Sequence, residues 1–157
     1  MANLTYARGR WMNLDKPGGA VFFVGGGTPA FKGIGRSNSY SGLTPEEPLS
    51  TIAQGVTNCV DGRGDTIVLL PGSVTVTTAI AMSKADVTLS GVEPNGSINP
   101  SAILVNASAI DGINVSAANI VIEDLHFPAG TTAANTSRIN AGAAGLTVRN
   151  CTFECGA

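Results

Sequence analysis

Residues 80–92, 113–125 and 139–151 carry one hydrophobic pattern three times over. Ile80, Met82, Val87, Leu89 and Val92 in the first copy become Ile113, Val115, Ile120, Ile122 and Leu125 in the second, and Ile139, Ala141, Leu146, Val148 and Cys151 in the third. The offset is 33 residues from Ile80 to Ile113 and 26 from Ile113 to Ile139, and it is constant within each comparison. Within a copy, apolar and polar positions alternate: Ile120, Ile122 and Leu125 are expected to point inward, Val121 and Glu123 outward. Period two is the signature of strands, whose successive side chains face opposite ways. Short strands repeated at this spacing predict stacked units, none of which can bury its apolar face alone. The last two copies run one strand further and end alike, at Phe127 and Phe153. The longer first offset is ascribed to a turn-rich bulge over residues 93–100.

Upstream the pattern changes. Val21–Val24 reads as a short apolar strand, residues 25–47 as loop, and Asp65–Leu70 as a strand ending in Pro71-Gly72. Leu49, Ile52, Ala53, Val56, Cys59 and Val60 share one face at i, i+3, i+4, i+7 spacing. That spacing predicts a helix over 50–60 with Ser50 as N-cap. Residues 1–20 have no period and read as an extended arm. Trp11 and Tyr6 either anchor that arm on another surface or, for Trp11, cover the end of the core.

Composition sharpens this picture. Only 13% of residues are charged and 5% aromatic, against 20 glycines, which suits stacked strands with tight turns better than a helical bundle. Asp86, Asn119 and Gly145 align in one turn, and Gly91, Asp124 and Asn150 in the next; these residue types tolerate the left-handed conformation that stacked corners require. Ser90, Glu123 and Arg149 form an outward column, with Glu123 and Arg149 as a surface ion pair worth at most ~1 kcal/mol. The net charge of −2 gives no reason to expect nucleic acid or an anionic membrane as partner. The N-terminus lacks the apolar run of a secretory signal, and no stretch approaches a membrane span. The chain is therefore expected to fold first in a cytoplasm, and its Asn-x-Ser/Thr triplets to reflect composition. Cys59, Cys151 and Cys155 make no disulfide framework or metal motif, and Cys151 is read as a buried thiol.

A short strand, a loop, a lone helix with Thr51-Ile52-Ala53, the run Gly64-Asp-Thr-Ile-Val-Leu-Leu-Pro-Gly72, and coils ending Ile122-Glu-Asp-Leu-His-Phe127 and Val148-Arg-Asn-Cys-Thr-Phe153 follow in order. Over residues 21–153 this resembles the right-handed parallel β-helix superfamily of pectate-lyase-like enzymes, phage tailspikes and virion proteins. The resemblance implies an all-β fold: a short right-handed parallel β-helix over residues 46–157, with one N-terminal capping α-helix. Residues 1–45 form its N-terminal arm and strand/loop region.

Glycoside hydrolysis needs two carboxylates facing one cleft. Glu123 and Asp124 are the catalytic candidates, but neighbours on a strand point apart and Asp124 falls in a corner. Asp61 and Asp65 flank a Gly-rich turn and are explained by turn capping. A lyase would need a base beside acids that bind Ca²⁺; Lys84 and Arg149 have no such acids around them. His126 is expected on the surface, and the Gly25-Gly-Gly-Thr-Pro segment lacks the context of a phosphate loop. Neither a cofactor nor a metal site is expected. Among virion proteins the resemblance implies a non-enzymatic capsid decoration or cement protein in the virion, whose arm (Tyr6, Arg8, Arg10, Trp11) grips the major capsid protein or another virion protein. It also implies a homotrimer. The alternative is a tailspike-type domain that binds or degrades host surface polysaccharide; a carbohydrate-binding adhesin is a third reading.

Overall fold

The computed structural model describes residues 4–7, 10–13, 18–25, 35–92, 100–105, 110–129 and 137–154. Leu4–Ala7 (β1) and Arg10–Asn13 (β2) pair antiparallel, placing Tyr6 level with Trp11 and Ala7 level with Arg10. The expected extended arm thus begins as a hairpin, and β2 lies beside β3.

Every other named strand belongs to one of three parallel sheets. Val21–Val24 (β3), Thr66–Leu69 (β4), Thr88–Gly91 (β7), Val121–Glu123 (β10) and Thr147–Arg149 (β13) form the first. The second contains Gly72–Val76 (β5), Ser101–Val105 (β8), His126–Phe127 (β11) and Thr152–Phe153 (β14). The third contains Ile80–Met82 (β6), Ile113–Val115 (β9) and Ile139–Ala141 (β12). β3 and β4 both lie in the first sheet; from β4 to β14 the chain visits the first, second and third sheets in rotation. The chain is mostly β with parallel sheets and one short helix.

Within the paired strands of the first and third sheets the registers match the repeat. Ile80, Ile113 and Ile139 are level, as are Met82, Val115 and Ala141. Ile67, Leu89, Ile122 and Val148 form a longer inward column. Apart from Ala141 and Val148, these residues fill one continuous interior with Val87, Ile120, Leu125 and Phe127. In the second sheet Ile103 lies above Val74, and Phe127 stacks on Phe153 with ring centroids 4.8 Å apart and planes 5° apart.

Three expectations change. β5 and β8 are strands that the pattern did not mark. β8 fills the place of β11 in its own circuit, since Ala102 is level with His126. Nine residues separate β7 from β8, but only two separate β10 from β11 and β13 from β14. Of the expected bulge, residues 93–99 lie outside the described residues. The second change is at Val92. Asp86, Asn119 and Gly145 all turn at positive φ (58°, 57° and 78°), as expected, and so do Asp124 and Asn150 (55° and 53°). Gly91 does not: it continues β7, paired with Leu69. Val92 consequently misses the interior occupied by Leu125 and packs on Val21, Phe23, Val68 and Leu70 outside the first sheet. Gly91 is glycine for closeness, since a Cβ there would stand 2.1 Å from the Asp124 carbonyl oxygen.

The helix is the third change. It spans Ile52–Asn58 (α1), and Thr51 is its N-cap, its Oγ1 accepting from the Gln54 amide at 3.2 Å. Ser50 donates its own amide to Asn38 Oδ1 instead. Leu49 precedes the helix and bridges to Val24, and Val60 lies beyond it, 48% exposed. Ile52, Gly55 and Val56 face inward, and α1 packs on β3, β4 and β6, closing the interior at the first circuit.

Candidate functional site

The acids that the sequence offers for catalysis are held in hydrogen-bonded ladders between successive circuits. Glu123 sits level with Ser90 on one side and Arg149 on the other. Period two places it on the outer face of the first sheet, yet its side chain is only 1% exposed. The expected surface ion pair is thus a half-buried one. Arg149, 60% exposed, donates from Nε and Nη2 to Glu123 Oε2 at 2.6 and 2.5 Å. The outer face of this sheet is covered rather than solvated, as the burial of Val21, Phe23, Val68 and Ser90 also shows.

Asp124 occupies the corner between the first and second sheets. Its left-handed backbone turns the chain, and Asn150 Nδ2, one circuit on, donates to its Oδ1 at 3.0 Å. Asn119 Nδ2 does the same for Asp86 Oδ1 at 3.1 Å in the other corner. Glu123 and Asp124 are therefore each tied to their own partner on the next circuit.

His126 departs from expectation. It is buried, 7% exposed, on the outer side of β11. Its Nε2 lies 3.4 Å from Glu154 Oε1, and Glu154 Oε2 accepts from the Ala129 amide. Its Nδ1 is buried with no hydrogen-bond partner. Buried polar nitrogens are normally paired, so the Nδ1 of His126 is an exception at this corner.

Two clusters were missed or underrated. Asp65, fully buried, accepts from the amides of Ala20 and Val60, both at 2.7 Å, and from Arg63 Nε and Nη2 at 2.6 and 2.8 Å. Burial pushes its carboxyl up, but the Arg63 guanidinium and the two amides outweigh that and hold it below the usual carboxylate range. Asp61 Oδ1 accepts from the Ala85 amide, 24 residues on, at 2.6 Å, so it ties its turn to a distant one instead of capping the turn it flanks. Asp111, which the pattern did not single out, accepts from Ser137 Oγ at 2.6 Å and Asn140 Nδ2 at 2.8 Å. The one available signal was its Asp-Gly turn, with Ser137 and Asn140 about one repeat later.

No protein-family model, curated protein or solved structure matches the chain. What the site can do must be read from its own chemistry.

Among the described residues, no group of three His, Cys, Asp or Glu side chains is gathered to hold a metal ion. Nor is any described helix long and apolar enough to cross a membrane. Burial, then the Asp65 carboxylate, pushes the Cys59 thiol up to about 12, while burial raises Cys151, which is half-buried rather than buried. A thiol held protonated is a poor nucleophile. Of the four residues expected in the arm's grip, Tyr6 and Trp11 are cross-strand partners and Arg10 opens β2; Arg8 lies outside the described residues.

Proposed function

We propose that the chain folds as a short right-handed parallel β-helix and serves as a virion structural protein, a capsid decoration or cement protein on the particle surface. One observation carries this reading: Glu123, Asp124, Asp86 and Asp111 are each bonded to a residue on the following circuit. Acids used this way tie one circuit to the next, which is what a scaffold under mechanical load needs. The helix that closes the first circuit supports the same reading, because it hides an apolar end and an open edge. In this proposal Tyr6, Arg8, Arg10 and Trp11 bind the major capsid protein or another virion protein, and three copies associate side by side.

Phage particles produced with and without the gene would test it. The chain is expected to sediment with the particles and to raise their resistance to heat. Absence from purified particles, or equal heat inactivation, overturns the proposal.

A second reading, a tailspike-type domain acting on host surface polysaccharide, is favoured by one feature. Glu123, Asp124 and His126 follow one another through a single corner, and His126 Nδ1 is unpartnered. Depolymerisation of host polysaccharide that is lost in Glu123→Gln or Asp124→Asn would move the assignment to that reading.

A further inference from the structure

Val21, Phe23, Val68 and Leu70 stand on the outer face of the first sheet and, with Val92, form an apolar cluster apart from the interior. Phe23 and Val68 are nonetheless only 4% and 1% exposed. Residues on one face of a sheet touch each other only side to side, so burial this deep requires a second layer above them. The β1–β2 hairpin is placed to supply it. β2 lies beside β3, yet the hairpin does not extend the sheet, since its strands pair with each other. The edge of β3 away from β4 is already occupied: the Phe23 amide donates to the Gly42 carbonyl oxygen at 2.6 Å, and the Leu49 amide to the Phe23 carbonyl oxygen at 2.9 Å. The inner side of β3 is filled by α1 and the interior. The outer side remains.

We propose that the hairpin is a hinged strap: pivoting at Gly18, it closes the face that carries Leu4, Tyr6 and Trp11 over Val21, Phe23, Val68 and Leu70, and it opens to uncover them. A two-stranded hairpin has too little core to stand alone in water, so it must rest on an apolar surface. Strand alternation and the register put Leu4, Tyr6 and Trp11 on one face of the hairpin and Arg10 on the other. The connection to the sheet has a fixed part and a free part. Gly19 is pinned, since a Cβ there would stand 2.0 Å from the Gly64 carbonyl oxygen, and the Ala20 amide is held by Asp65. Gly18, at a φ of +109°, has nothing within 4 Å of a Cβ, so the backbone is free to swing there. Closure is intramolecular and thus favoured by a high effective concentration despite a small contact. Opening leaves the stack intact, because everything from Gly19 onward is held independently of the hairpin.

The strap stands without the virion reading; where both hold, attachment through Tyr6 and Trp11 requires it to open. Trp11 is the sole tryptophan, so its fluorescence reads the strap in the intact chain. In dilute solution the wild type is expected to shield Trp11 from acrylamide. Leu4→Ser on the strap and Val68→Ser on the face should each lower the closed-to-open ratio about tenfold and raise quenching. Circular dichroism of the stack should stay unchanged in both. Val21→Ser, on the last strand of the sheet, takes the place of Val68→Ser if that variant fails to fold. Trp11 quenched in the wild type as freely as tryptophan in a short peptide overturns the inference. So does shielding that either the strap variant or the face variant leaves unchanged, because Trp11 would then be covered elsewhere, such as at the end of the core.

Discussion

Asp65 shows how much one carboxylate can organise. Four donors converge on it from the residue before β3, the residue two past the helix and the intervening Gly-rich turn, so it joins three segments in one buried knot. Replacing it with Asn keeps the shape but removes the charge that Arg63 and two amides are oriented to meet. We expect Asp65→Asn to lose about 2–4 kcal/mol in urea unfolding at neutral pH, since breaking a buried pair strands its partners. The pH dependence has a definite sign. Because the folded carboxyl titrates below its unfolded value, its stabilisation is complete above about pH 4 and is lost as pH falls through the folded value. Wild type should therefore lose stability on acidification below pH ~4, and Asp65→Asn should show a shallower decline there. An unchanged acid limb would mean that the knot contributes little. His126 and Glu123 make the opposite lesson about single residues. Both stand at outward positions of their strands, and period two placed them correctly. Their burial comes from what covers those faces, a long-range fact that local alternation does not carry.

At the scale of elements, the turns repay attention more than the strands. The corner of Asp86, Asn119 and Gly145 was legible because three residue types that tolerate positive φ fell in one column. The neighbouring corner misled, because Gly91 answers to close approach while Asp124 and Asn150 answer to φ, and one letter serves both needs. β5 and β8 were hidden for a different reason: the strands are continuous, but unequal turns between sheets shift their sequence offsets away from the repeat. The helix boundary moved by one to two residues because Asn38, distant in sequence, takes up the Ser50 amide and leaves Thr51 to cap. The turn column makes a specific expectation. Gly145→Ala places a Cβ 2.6 Å from Asn119 Oδ1 at a φ of +78°, and should cost about 1–2 kcal/mol in chemical denaturation. A neutral Gly145→Ala would show that the turn relaxes freely at the last circuit.

Across the whole molecule, burial is graded along the stack. The interior is sealed at the helix end and through the middle circuits, and it opens at β12, β13 and β14, whose residues are half-buried to exposed. In a stack whose units touch only their neighbours, stability is a sum of local terms, so the open end should fray first. Ile122→Ala in the middle is expected to cost about 2–5 kcal/mol, and Val148→Ala, level with it one circuit on, about 1 kcal/mol or less. Amide hydrogen exchange should follow the same order, with β13 amides exchanging well before those of β7. Equal protection along the stack would contradict the gradient.

The unequal turns between the first and second sheets have a consequence for how such a chain can change. Nine residues are spent between β7 and β8 where two suffice elsewhere, yet Ala102 and His126 remain level. Length at that corner is thus decoupled from the packing beneath it. Chain can therefore be added or removed between β7 and β8 while the interior keeps its registration, and a peptide could be grafted there on the same terms.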